Sequence, residues 1–158
     1  MKLRLILFLL VSHALVAALG FAAGIYTLPL LIAPAAPTAA EVQGKAERAR
    51  HTARFQRDLK GSDALHWGEG RVTVGPDAIS LLGEVAPGPD YKLYLSPRFV
   101  ETEAEVLALK PQMLRVGDVK TFKNFIVPLP PEADVEKYDT VLVWCETFSQ
   151  FITAAKYR

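Results

Sequence analysis

Val141-Leu142-Val143-Trp144-Cys145-Glu146-Thr147-Phe148-Ser149-Gln150-Phe151 decides how this chain folds, because its first half reads as a strand with two apolar faces. Side chains alternate along a strand, so Val141, Val143 and Cys145 share one side while Leu142 and Trp144 share the other. Both sides are apolar as far as Trp144, which predicts burial front and back. Glu146 marks the exit toward water. Cys145, the single cysteine of the chain, therefore stands where the strand leaves the core, partly sheltered.

The same grammar of short β-branched and aromatic runs extends toward the N-terminus. Thr140–Trp144 is preceded by the rigid connection containing Pro128, Pro130 and Pro131, and before that by Phe122–Val127 and Met113–Val116. Tyr91–Leu95, Ala78–Leu82 and Arg71–Val74 complete the set, with Gly75-Pro76-Asp77 and Pro87-Gly88-Pro89-Asp90 as turns. Gly70, just ahead of a strand, suggests a close backbone approach or a bulge. Strands at this spacing with hairpin-length gaps predict an all-β fold, an antiparallel sandwich or barrel-like domain, over residues 64–158. Glu101–Leu109 reads as one or two helical turns. A segment of this size buries roughly 60–70% of its unfolded surface and so is expected to fold alone.

Residues 5–32 differ from the rest. None of these 28 residues is Asp, Glu, Lys or Arg, and about 20 apolar residues suffice to cross a bilayer core. A signal peptide's apolar region runs only about 7–15 residues, so an uncleaved anchor over residues 1–36 fits better, although Ala33–Ala40 supplies small residues suited to cleavage. Lys2 and Arg4 ahead of the run favour a cytoplasmic N-terminus, which puts the C-terminal domain outside the membrane, periplasmic or extracellular. Lys45, Arg48 and Arg50 on the other side weaken that bias. Gly20 and Gly24 have the spacing of a helix-packing pair, a pattern also met in plain lipid-facing helices. Pro34 and Pro37 end the helix, and 37–63 reads as a partly helical stalk, with Val42, Ala46, Ala49 and Ala53 in a thin stripe.

The formal net charge of +1 conceals a division. Residues 41–60 hold six basic and three acidic side chains, whereas 61–158 hold ten basic and fourteen acidic ones. A mildly acidic domain lacks the electrostatic footprint of a nucleic-acid binder. P-loop, dinucleotide-glycine, paired-histidine and nucleophile-elbow signatures do not occur in the sequence. One cysteine excludes an intrachain disulfide, a multi-thiolate zinc site, a Cys-x-x-Cys redox pair and a covalently attached haem. Glu101, Glu103 and Glu105 stand two apart, as on one face of a strand, and read as a solvated face rather than as a hydrolytic pair.

Cys145 is the first candidate site residue. On residue type it is an inert small hydrophobe or a functional thiol; function requires a nearby positive group, for which Lys137, Lys156 and Arg158 are candidates, a metal, or haem iron. His66, beside Trp67, is either a turn histidine or an axial ligand. Met113 is either core filling or a soft ligand.

Three stretches carry a resemblance. They are His66-x-x-x-Gly70-x-Val72, then Pro89-Asp90-Tyr91-x-x-Tyr94-Leu95-Ser96, then Tyr138-x-x-Val141-x-Val143-Trp144-Cys145-x-x-Phe148-Ser149 with Phe151 and Ala154. In order and spacing they are similar to the DM thirteen domain family, in a membrane-anchored, bacterial-type form. The resemblance implies a β-rich extracytoplasmic electron-transfer module whose C-terminal cysteine, here Cys145, acts as a redox thiol or ligates a group such as haem. His66 is implied only as a companion ligand. The expected partners are the membrane, through residues 5–32, and a redox or envelope protein. A non-catalytic envelope-binding module presenting Trp67, Tyr91 or Tyr94 is the alternative, and pairing of two chains through Cys145 is a third.

Overall fold

Among residues 2–158, which the computed structural model describes, eight strands form two four-stranded antiparallel sheets packed as a sandwich. The first sheet has the order β1 (His51–Phe55), β2 (Gly68–Val74), β3 (Ala78–Val85), β6 (Lys123–Pro128). The second has β5 (Leu114–Val119), β4 (Tyr91–Ser96), β7 (Thr140–Cys145), β8 (Gln150–Lys156). At the margins β5 runs beside β6 and β1 beside β8, so the sandwich approaches closure at both edges.

β7 is a central strand, and every residue in it is buried. Val141, Val143 and Cys145 enter the core between the sheets with Val72, Ile79, Leu81, Leu93 and Leu95. Leu142 and Trp144 point the other way, into a second cluster with Tyr94, Val106, Leu109 and Phe151. That outer cluster needs a cover, and helix α3 (Glu103–Leu109) supplies Val106 and Leu109. Both Leu142 and Trp144 are 0% exposed, and full burial of an apolar side chain is worth about 1.5–3 kcal/mol. Thr102 starts α3 with a capping box: its side chain accepts from the Glu105 amide while the Glu105 carboxylate accepts from the Thr102 amide. Glu103 and Glu105 therefore belong to a helix N-terminus, where negative charge is favoured, and not to a strand face.

Helix α1 (Lys2–Ile32) is one uninterrupted 31-residue helix, long and apolar enough to cross a membrane. The segment expected as a partly helical stalk over residues 37–63 is indeed helical only in part, but it is docked on the domain rather than solvated. Helix α2 spans only Ala39–Ala46, and residues 51–55 form the edge strand β1, paired with β2 from His51↔Val74 to Phe55↔Gly70. Phe55, 0% exposed, supplies a core anchor that outweighs the helical preference of the surrounding alanines and arginines. Val42 is buried too, and Lys45 and Arg48 pair with Asp77 at 2.7 and 3.1 Å, so α2 is docked onto the first sheet.

Gly70 and Gly83 face each other across β2 and β3. Gly70 has φ +127°, and a Cβ there would lie 2.4 Å from the Leu82 carbonyl oxygen. Gly83 has no more room, since its Cβ would lie 2.1 Å from the Glu69 carbonyl oxygen. A Gly70→Ala substitution should lower the unfolding free energy by about 1–3 kcal/mol, read as a drop in Tm, because both the dihedral and the contact turn unfavourable. An unchanged Tm would mean that the two strands do not approach as described.

Candidate functional site

The first residue of β4 and the last of β7 are direct partners across the ladder, Tyr91↔Cys145. Both project into the inter-sheet core, so the phenol and the thiol sit side by side at one end of the sandwich. The turn after β7 folds back: the Glu146 amide donates to the Asp90 carbonyl at 3.0 Å, and Ser149 takes φ +50° to begin β8. Gly88 lies flat over the Tyr91 ring, where a Cβ would come 2.4 Å from the hydroxyl oxygen.

A cavity of about 390 Å³ opens at this end, walled by His66, Gly88, Tyr91, Cys145, Phe148 and Ile152 among others. Its remaining wall comes from α1, through Ala22, Ile25 and Tyr26. Cys145 is 2% exposed, so the cavity is its approach. Burial pushes the Cys145 thiol above its ordinary range; the backbone N–H groups of Phe148, Asp90 and Thr147 act in the opposite direction without prevailing. At neutral pH the sulfur is a protonated thiol. Tyr91 is likewise pushed up, first by burial and then by the neighbouring Cys145 and Tyr26.

His66 reaches the same cavity. Asp63 fixes it: the carboxylate accepts from the Leu65 and His66 amides at 2.7 and 2.9 Å and holds the His66 Nδ1 at 2.9 Å. Hydrogen bonding with His66 is the largest influence keeping the Asp63 carboxyl below its usual range. Two of the three expected site residues, Cys145 and His66, are thus brought together. Met113 is not: it packs against the outer cluster with Tyr94 and Trp144, on the opposite side of the second sheet from Cys145. Nor do the expected cations meet the thiol. Lys137, Lys156 and Arg158 pair with Asp134, Asp139 and Glu136 at 3.7, 3.6 and 4.0 Å, and none lines the cavity.

Behind the sheet lies a polar group that sequence reasoning passed over. The Lys110 ammonium donates to Glu146 at 2.5 Å and stands 5.2 Å from the Trp144 ring centroid, and the Tyr94 hydroxyl donates to the same carboxylate. Burial opposes ionisation of Glu146, but the hydrogen bonds from Lys110 and Tyr94 outweigh it and hold the carboxyl low. Glu146 is therefore an anchor of the turn behind Cys145 rather than a plain exit to water. Tyr94 and Tyr91, 6% and 4% exposed, are also not the displayed aromatics that an envelope-binding face would need, and Trp67 is covered by the Arg57 guanidinium at 3.3 Å.

The residues present do not suit a haem. Iron ligation by cysteine needs a thiolate, and the cavity wall sets no Lys or Arg beside Cys145 to favour one. The cavity wall also offers no Lys or Arg to pair with the propionates. Among the described residues no cluster of three or more His, Cys, Asp or Glu side chains is placed to hold a metal ion.

Fold and site together define a small β-sandwich module with one thiol in the wall of a cavity. Residues 58–157 match the electron transfer DM13 family, and the chain belongs to it. No curated protein and no solved structure shows a significant match to the chain. The family's description suggests a role related to electron transfer.

Because its thiol is raised, Cys145 should react with iodoacetamide more slowly than free cysteine at pH 8. Its rate should rise only at pH above the ordinary thiol value of about 8.5. A rate at or above that of free cysteine would show a depressed thiol and contradict the burial described.

Proposed function

We propose that this protein is a membrane-anchored electron-transfer module lying outside the cytoplasmic membrane, with Cys145 as the group through which redox chemistry reaches the domain. The observation that carries this reading is the position of the only cysteine, in a cavity wall beside Tyr91 and His66 and inside the segment that matches the family. A buried structural cysteine needs no such access. Helix α1 supports the anchoring, and Lys2 and Arg4 at its start support a cytoplasmic N-terminus.

Burial narrows the partner. A sulfur that is 2% exposed cannot meet a protein thiol at disulfide distance without local opening, which also disfavours pairing of two chains through Cys145. The exchange partner is then a molecule small enough to enter the cavity. Voltammetry of the full-length chain in lipid nanodiscs on an electrode tests this. The reading expects a faradaic wave that Cys145→Ser abolishes while the fold is retained; the absence of a wave, or an identical wave in the variant, contradicts it. An alkaline phosphatase fused after Arg158 should be active in cells, and an inactive, stably made fusion would place the domain on the cytoplasmic side.

A further inference from the structure

The cavity beside Cys145 has a chemical character narrower than its family suggests. Its wall is mainly aliphatic, proline and aromatic, with His66, Cys145 and Gln150 added and without Asp, Glu, Lys or Arg, and its volume of about 390 Å³ lies toward the small end of the ~300–1,000 Å³ typical of ligand sites. Two rings on its sandwich side, Tyr91 and His66, keep a polar atom without a partner. Tyr91 is 4% exposed, and its hydroxyl, at the cavity, makes no hydrogen bond among the described residues. His66 uses Nδ1 on Asp63 at 2.9 Å, which leaves Nε2 as the free ring nitrogen of a residue lining the cavity. In the neutral ring with Nδ1–H on the carboxylate, Nε2 is an acceptor. On the sandwich side the wall thus offers the Tyr91 hydroxyl and a His66 ring nitrogen, with the exposed Tyr26 hydroxyl facing from the helix and Gln150 tied by its amide nitrogen to Glu103, in otherwise apolar surroundings.

The position of the cavity limits where a ligand comes from. At 1.5 Å per residue the 31 residues of α1 extend about 46 Å, against a hydrocarbon core of roughly 30 Å. With Lys2 and Arg4 at the far surface, about ten residues project beyond the core, so Ala22, Ile25 and Tyr26 stand where the helix emerges. The cavity lies between that emerging helix and the sandwich. A ligand entering from the bilayer is apolar and uncharged, and one that satisfies both polar groups has oxygens that accept from a phenol and donate to an imidazole. We propose that this cavity binds the ring of a lipid-soluble quinol and its quinone, the Tyr91 hydroxyl donating to a ring oxygen and the His66 Nε2 accepting from a quinol hydroxyl. The inference rests on the membrane-anchored reading given above and names the ligand class of that same site.

The test uses the full-length chain in detergent and decylubiquinone, whose fully substituted ring cannot add to the Cys145 thiol, in oxidised and pre-reduced forms. Binding is followed by quenching of tryptophan emission, with decanoic acid as the competitor that has a tail and no ring. Saturable binding of both forms is expected. Tyr91→Phe should weaken it about five-fold, the loss of one hydrogen bond. His66→Ala should weaken the quinol about five-fold and the quinone less. Ala22→Trp, on an exposed stretch of helix, should abolish binding by filling the wall without touching the sandwich. Binding that ignores Tyr91→Phe and Ala22→Trp, equal displacement by decanoic acid, or no binding at all overturns the quinone assignment. A Cys145-dependent voltammetric wave surviving such a failure would leave electron transfer standing with another small partner, whereas quinone binding without the wave strikes only the electron-transfer reading.

Discussion

The structure depends on one strand having no solvated face. β7 must bury Val141, Val143 and Cys145 against the opposite sheet and Leu142 and Trp144 against something else. The first demand makes the chain a sandwich. The second calls for a cover on the outer side, which is why α3 and the Lys110–Glu146–Tyr94 group gather behind it. A strand satisfied on both sides is rigid, and its terminal residue inherits that rigidity.

Cys145 is that terminal residue. Its cross-strand partner Tyr91, pinned beneath Gly88, and the turn held by Glu146 fix the sulfur's position while leaving space on one side. The resulting environment holds no Asp, Glu, Lys or Arg and is mainly apolar. That favours the protonated thiol over the thiolate, as the raised Cys145 shows, and separates this site from nucleophilic cysteines activated by a neighbouring cation. Selection of a partner by size and polarity follows from the same walls.

Much of the sandwich was legible in the sequence because alternation and turn residues agreed. Thr140–Trp144, Tyr91–Leu95 and Ala78–Leu82 lie within observed strands, and Phe122–Val127 does so from Lys123 onward. β1 was not legible: His-Thr-Ala-Arg-Phe sits among helix-forming residues, and only its ladder with β2 and the burial of Phe55 make it a strand. β8 was hidden for a related reason, since its Ala154 and Ala155 carry weak strand preference and are held by β7. Cys145 stood out by being alone, and its neighbourhood to His66 followed from a resemblance rather than from spacing. Tyr91 looked like a displayed aromatic. Its role at the cavity depends on a glycine turn, and the role of α1 as a wall depends on tertiary packing, neither of which a local pattern records.

The central claim is that Cys145 is reached only through a small, neutral cavity. The most direct measurement compares, in the full-length chain, modification of Cys145 by methyl methanethiosulfonate with modification by its bulkier sulfonate-bearing ethyl analogue, followed by intact mass. The small uncharged reagent should label the protein while the charged one leaves it largely unmodified until the chain is unfolded. Equal labelling of the folded protein by both reagents, or labelling by neither, would contradict the account.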